Sequence, residues 1–531
     1  MVPRRVGLWA VAVSVAGASV TVAASAPYTN GQPLRDGWQI QSSAKVTAPD
    51  AVVSTAAFQA QGWYPATVPT TVVAALVTAG VLPDPHFGMN LRSFPGVAYP
   101  VGENFSNIEM PADSPFAVPW WYRRDLPVPE LKPSDRVWLR FAGINYAADI
   151  WVNGHQVATA ESTAGAFRTD DLDVTDFVAP AERNVLAVKV RAPQPHDLAI
   201  TFVDWNPMPP DKVMGLYRDV TLAVTGPVSV RYPQVVTSLD LPARETARLT
   251  VMAELRNGSS QEISGRLEGH IGDRAFEQPV TLKPAESRTV RFAPKEFPTL
   301  VIDHPRLWWP APMGEAALHD LDLSFLVDGQ TSDVAHLRFG IRTVTSEMTA
   351  QGHLLFRING EPVLIRGAGY TPEMLLREPP ARQEAELRYV RDLGLNTVRL
   401  EGKLEDAHFM ELCDRMGLLV LAGWCCCDHW EKWDTWKDGE LPVAVASLRS
   451  QILRLRAHPS LLAWMNGSDG PPPAPVEKAY LDVLAQLAWP NPVVSSATQK
   501  PAEHSGPSGV KMLGPYDYEP PIYWYVDTAH G

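Results

Sequence analysis

A chain of 531 residues exceeds what one hydrophobic core supports, so two to four domains are expected. Its 59 acidic and 46 basic side chains leave a formal net charge of −13, which argues against a nucleic-acid partner, since that requires clustered Lys and Arg. Hydrophobic content of 45% and charged content of 20% are those of a folded, soluble protein; 17 Trp and 49 Pro point to β-rich domains with ring-lined grooves suited to sugars, although core rings would give the same counts.

Residues 1–26 have the pattern of a cleaved export signal. A basic MVPRR precedes the apolar VGLWAVAVSVAGASVTVAA, and Ala24-Ser25-Ala26 forms an A-x-A cleavage site. The mature protein is therefore expected to be bacterial, secreted or periplasmic, and free of the membrane. Residues 27–227 carry short alternating runs (VWLRFAG, ADIWVNG, NVLAVKV, DVTLAV), which predict a jelly-roll β-sandwich. Asn153-Gly154 between two of these runs predicts a hairpin turn. Residues 228–346 repeat the period-two pattern in ARLTVMAEL, SGRLEGHI, RTVRFA and DLDLSFLV, with Asn257-Gly258 as a turn, and have the size of one immunoglobulin-like sandwich. Leu307-Trp308-Trp309-Pro310 is expected to form a rigid surface corner.

In residues 347–531 the rhythm changes to strands alternating with helices of about a dozen residues, the signature of β/α units around a parallel sheet. No Gly-rich phosphate loop follows the first strand, which disfavours a dinucleotide fold and favours a (β/α)8 TIM barrel. A complete barrel takes about 250 residues. The remaining length holds five or six units, so the barrel is expected to be incomplete.

Catalytic groups of such a barrel project from C-terminal strand ends. Read in order, those ends carry Tyr370, Glu401, Trp424, Asp469 and the Tyr516–Tyr518 segment. Two carboxylates and several rings on one rim have the composition of a glycosidic site. Each signal also has a plainer explanation: Asp469 as a helix cap, Glu401 in a solvated loop, Trp424 in the core. Asn466-Gly467-Ser468 matches a glycosylation pattern, but its place on an inner rim makes it a turn presenting Asp469. Cys413, Cys425, Cys426 and Cys427 could hold one disulfide, and no metal-ligand spacing supports a site with His429. No cofactor is implied.

The chain also resembles glycoside hydrolase family 2, in the strings FAGINYAADIWVNGHQVA, GAFRTDDLDVTDFV, LWWPAPMG, FGIRTV and FRINGEPVLIRGAGY. Within it, DWNPMPPDKVMGLYRDV, LGLNTVRLEG, GSD and KMLGPYDYEPPIYWY are similar to the exo-β-D-glucosaminidase branch, which removes glucosamine from the non-reducing ends of chitosan oligomers. Most family members carry Asn-Glu at the acid/base position; this branch has Ser-Asp, here Ser468-Asp469. The resemblance implies a retaining double displacement. Asp469 would be the acid/base and Glu401 would pair with the substrate ammonium, while Trp424, Tyr516 and Trp524 are the rings expected to bind the sugar. The branch usually has Glu where Cys425 stands. Its nucleophilic Glu follows the seventh strand, and none of Glu477, Asp482, Glu503, Asp517, Glu519 and Asp527 has that context. The nucleophile is thus expected beyond residue 531, these residues alone are expected to be inactive, and the protein is expected to be a monomer. The alternatives are a β-mannosidase or endo-β-mannosidase of the same family, and a non-catalytic carbohydrate-binding remnant.

Overall fold

The structure is a computed structural model that describes residues 31–100, 109–200, 207–424 and 428–510. The short alternating runs near its start pair into two antiparallel sheets. One has the spatial order Tyr64–Ala66, Trp38–Ser42, Trp120–Leu126, Asn184–Arg191, Ala147–Val152 and His155–Ala158. The other runs Gln32–Pro33, Val220–Thr225, Arg136–Phe141 and Asp170–Asp173. Every second residue of these strands, such as Val137, Leu139 and Phe141 or Leu186, Val188 and Val190, enters one shared core with Trp38 and Tyr122. Asn153 and Gly154 form the expected hairpin turn, with φ of 48° and 88°, the positive values a two-residue hairpin requires.

A second sandwich follows. Val228–Leu239, Thr246–Asn257 and Ser287–Phe292 make one sheet, and Arg274–Leu282, Ile263–Ile271, His319–Val327 and Gln330–Phe339 the other. Leu249, Val251, Phe292, Leu321, Leu323 and Phe325 fill the space between them. The expected surface corner at residues 307–310 is not one. Trp308 is fully buried, donates its Nε1–H to the carbonyl of Asp414 at 2.8 Å, and packs with Phe356, Ile358, Leu419 and Leu462. The pattern misleads because the two neighbouring rings diverge: only Trp309 stays half-buried, under the Arg244 guanidinium.

The parallel sheet has five described strands in sequential order: β1 (Gly367–Tyr370), β2 (Thr397–Glu401), β3 (Leu419–Gly423), β4 (Leu461–Met465) and β5 (Val493–Val494). Helices α1 (Pro380–Asp392), α2 (Ala407–Met416), α3 (Glu440–Leu455) and α4 (Ala474–Gln486) alternate with them. This is the incomplete barrel the length implied; the strand expected near Tyr516–Tyr518 lies outside the described residues. LLAWM in β4 is buried throughout, as befits a strand covered on both faces. Helix α2 begins at the Asp406 carboxylate, which accepts the Phe409 N–H at 2.9 Å, and ends at Gly417 with φ of 68°. A Cβ at Gly417 would also lie 2.8 Å from the Ala311 nitrogen, so the close approach of the 309–311 segment requires glycine a second time.

Arg342 welds the second sandwich to β4. It is buried, and burial pulls its pKa down to about 9. Its guanidinium donates to the carbonyls of Leu461 (2.6 Å) and His458 (3.4 Å) and to Asn491 Oδ1 (3.1 Å).

Trp308→Ala should lower the unfolding free energy by about 3–5 kcal/mol, since it removes a fully buried ring and orphans the Asp414 carbonyl. Urea titration checks this, with Trp309→Ala as the milder comparison.

Candidate active site

Alternation along β2 sends Val398 and Leu400 into the helix layer, and so turns Arg399 and Glu401 to the opposite face, toward the barrel interior. Glu401 pairs in register with Gly423, and Gly423 with Met465, so β2, β3 and β4 end at one level. Beyond Met465 the chain turns through Asn466, Gly467 and Ser468 to Asp469. Ser468 Oγ donates to Glu401 Oε1 at 2.8 Å, while Arg399 Nη2 donates to Glu401 Oε1 at 3.0 Å and to Ser468 Oγ at 2.5 Å. Two of the predicted features, the strand-2 acid and the Ser-Asp turn, therefore touch. Asp469 itself is exposed, and Asn466 beside it is buried, as an inner-rim turn requires.

Glu431, which the sequence reading missed, holds the same turn from its far side. Its Oε1 accepts the backbone N–H of Ser468 at 2.6 Å and that of Asp469 at 2.9 Å. Burial pushes its pKa up to about 7, the charges of Asp469 and Asp428 add to this, and the two N–H bonds oppose it. Asp428 accepts the Trp430 N–H at 2.8 Å and starts the short helical turn His429–Glu431 that carries Glu431. The only sequence signal was an acidic pair just after the third strand. Arg399 and Lys403 were also missed; Lys403 Nζ donates to Thr371 Oγ1 at 2.9 Å across the ends of β1 and β2.

Trp424 stands at the end of β3 as expected, but not as a sugar platform. It is 3% exposed, stacked on Trp430 at 4.3 Å between ring centroids, and edge-on to Trp464 at 5.3 Å. Packing at the junction with the first sandwich has claimed its ring, which Phe167 of that sandwich also contacts. Tyr370 is half-buried and donates its hydroxyl to Glu386 at 2.5 Å. Tyr516, Trp524 and Cys425–Cys427 lie outside the described residues. Cys413 is a buried free thiol in α2, so the single bridge considered does not use it. His429 Nε2 is 2.9 Å from Glu440 Oε1, and no group of His, Cys, Asp and Glu among the described residues has metal-binding geometry.

The arrangement holds one carboxylate (Glu401) charge-compensated inside the rim and another (Asp469) on a rigid exposed turn. Comparison with known proteins gives the site its context. Residues 38–203 match the model of the glycosyl hydrolase 2 galactose-binding domain-like family, and residues 228–342 that of glycosyl hydrolases family 2. The chain is 42% identical over 503 residues to an exo-β-D-glucosaminidase of Streptomyces avermitilis, covering 93% of this chain and 53% of that one. It is 39% identical to one of Amycolatopsis orientalis, covering 97% and 48%. The crystal structure of the Amycolatopsis orientalis exo-chitosanase CsxA superposes with a TM-score of 0.86 at 38% identity, over 94% of this chain and 57% of that one.

The chain belongs to glycoside hydrolase family 2. It groups there with the exo-β-D-glucosaminidases, whereas a mannosylglycoprotein endo-β-mannosidase of Lilium longiflorum is 28% identical. It spans about half the length of the curated relatives it matches. Within this family 2 chain the first two domains are the sandwiches described above, and the acid-bearing rim belongs to the third.

Several carboxyls in the protein are held above their ordinary range, each chiefly by burial: Asp170 at about 6, and Asp211, Glu378 and Glu431 at about 7. The folded state then keeps protons that the unfolded chain releases above about pH 4.5, so stability falls as pH rises from there to about 7. Thermal unfolding should accordingly give a higher Tm at pH 5 than at pH 7.5, and Glu378→Gln should flatten the slope.

Proposed function

We propose that the protein releases β-D-glucosamine from the non-reducing ends of chitosan oligomers by a retaining, two-carboxylate hydrolysis. The observation that carries this reading is the Ser468–Glu401 hydrogen bond, which sets a compensated carboxylate beside the Asp469 turn on one rim. Support comes from the similar exo-β-D-glucosaminidases and from a neighbouring structure, an exo-chitosanase in complex with PNP-β-D-glucosamine.

Asp469 protonates the glycosidic oxygen as the bond to the anomeric carbon breaks, and in the second half-reaction removes a proton from the attacking water. The nucleophilic carboxylate, about 5 Å from it in a retaining site, belongs to the part of the relatives' length that these 531 residues do not span. Arg399 and Ser468 both bind Oε1 of Glu401, so Oε2 is the oxygen that meets the substrate ammonium. A charge-assisted contact there selects the free amine over the N-acetylated sugar, which brings bulk and no charge. Export by the N-terminal signal and action as a monomer complete the proposal.

Glu401→Gln in the full-length enzyme should reduce kcat/KM for glucosaminides by about 2–5 kcal/mol of transition-state binding, the cost of orphaning a charged contact. Assays on chitosan oligomers, N-acetylated oligomers and mannosides decide the matter. Equal cleavage of the first two, or mannoside cleavage indifferent to the substitution, would overturn the reading.

A further inference from the structure

The turn that carries Asp469 has little to hold it by local means. It is four residues long with a glycine inside it, and it leaves a five-residue strand. Yet two consecutive backbone N–H groups of this turn, those of Ser468 and Asp469, converge on a single oxygen of Glu431, 37 positions away in sequence. The loop bearing Glu431 is itself fixed. The Trp430 ring is buried, stacks on Trp424, and donates its Nε1–H to the carbonyl of Ala199 in the first sandwich at 2.8 Å; Trp436 Nε1 donates to the carbonyl of His429 at 2.8 Å. A surface cap would not need such a mounting.

We propose that Glu431 is the positioning residue of the acid/base turn: its carboxyl oxygen, by accepting both N–H groups, fixes where Asp469 is presented. This rests on the function proposed above, which gives Asp469 the acid role. The assignment follows from these two hydrogen bonds, which a carboxyl oxygen accepts whether or not the group carries a proton. The turn has further fixed partners on its other side: Arg399 donates to Glu401 and Ser468, and Lys500 donates to the Asp469 carbonyl at 3.3 Å.

Two measurements test this. Amide hydrogen exchange, on this chain and on the full-length enzyme, should show Ser468 and Asp469 exchanging at least about tenfold faster in Glu431→Ala, with Glu431→Gln nearer the wild type because it keeps an acceptor oxygen. Kinetics of the full-length enzyme should show kcat reduced about 100-fold in Glu431→Ala with KM little changed, as for a misplaced catalytic group. Glu431→Gln, which keeps the acceptor oxygen, should restore most of kcat. Unchanged exchange at Ser468 and Asp469, or a kcat in Glu431→Gln as low as in Glu431→Ala, would overturn the proposal, and a lowered Tm alone would mark a purely structural role. If the wild type cleaves mannosides and not glucosaminides, the substrate reading fails, while the same exchange and kinetic measurements on that substrate still decide the role of Glu431.

Discussion

The rim depends on a stack of rings. Trp424 from the end of β3 and Trp430 from the loop beyond it lie nearly parallel, with planes 15° apart; Phe167 of the first sandwich tilts against both, and Trp464 of β4 meets Trp424 edge-on. Large apolar rings contribute both by the area they bury and by the offset and edge geometries their quadrupoles favour. Here they do so at a place where three segments meet, so burying them fixes the relative position of sandwich, strand end and loop at once. The acids of the rim are placed by chains that leave this stack.

The two buried-side acids of the rim are handled differently. Glu401 has a guanidinium at 3.0 Å and a hydroxyl at 2.8 Å, so its charge is compensated where it stands. Among the described residues Glu431 accepts only from backbone N–H groups, which orient its carboxyl, and it lies near two other acids. One carboxylate is thus kept available for a cation, while the other serves to hold the turn beside it. The difference arises locally: Arg399, two residues before Glu401, shares its face of β2, whereas His429, two residues before Glu431, is engaged with Glu440 instead.

The sequence carried the architecture well because its signals are periodic. Period-two runs produced the sandwiches, and β2 to β4 ended at the predicted level, which is why Glu401 and the Ser468–Asp469 turn could be placed together without coordinates. It failed where contact rather than period decides. Trp308 and Trp424 could equally have lined a groove or filled a core, and composition does not distinguish the two; both fill junctions between domains. Glu431 acts on backbone 37 positions away, a relation invisible to any local pattern.

Strand β4 has one further property. At its start, Arg342 of the second sandwich grips the Leu461 carbonyl, and Asp414 holds His458 at 2.6 Å and the Ser460 N–H at 3.0 Å; past its end, Glu431 grips Ser468 and Asp469. A buried five-residue strand is about 16 Å long and does not flex appreciably, so it behaves as a strut clamped at both ends by different parts of the chain. Among the described residues neither sandwich contributes an acid to the rim, yet both determine where the strut stands. The barrel of such a protein is therefore not a module that can be cut away and moved: its aim is set by the two domains that precede it.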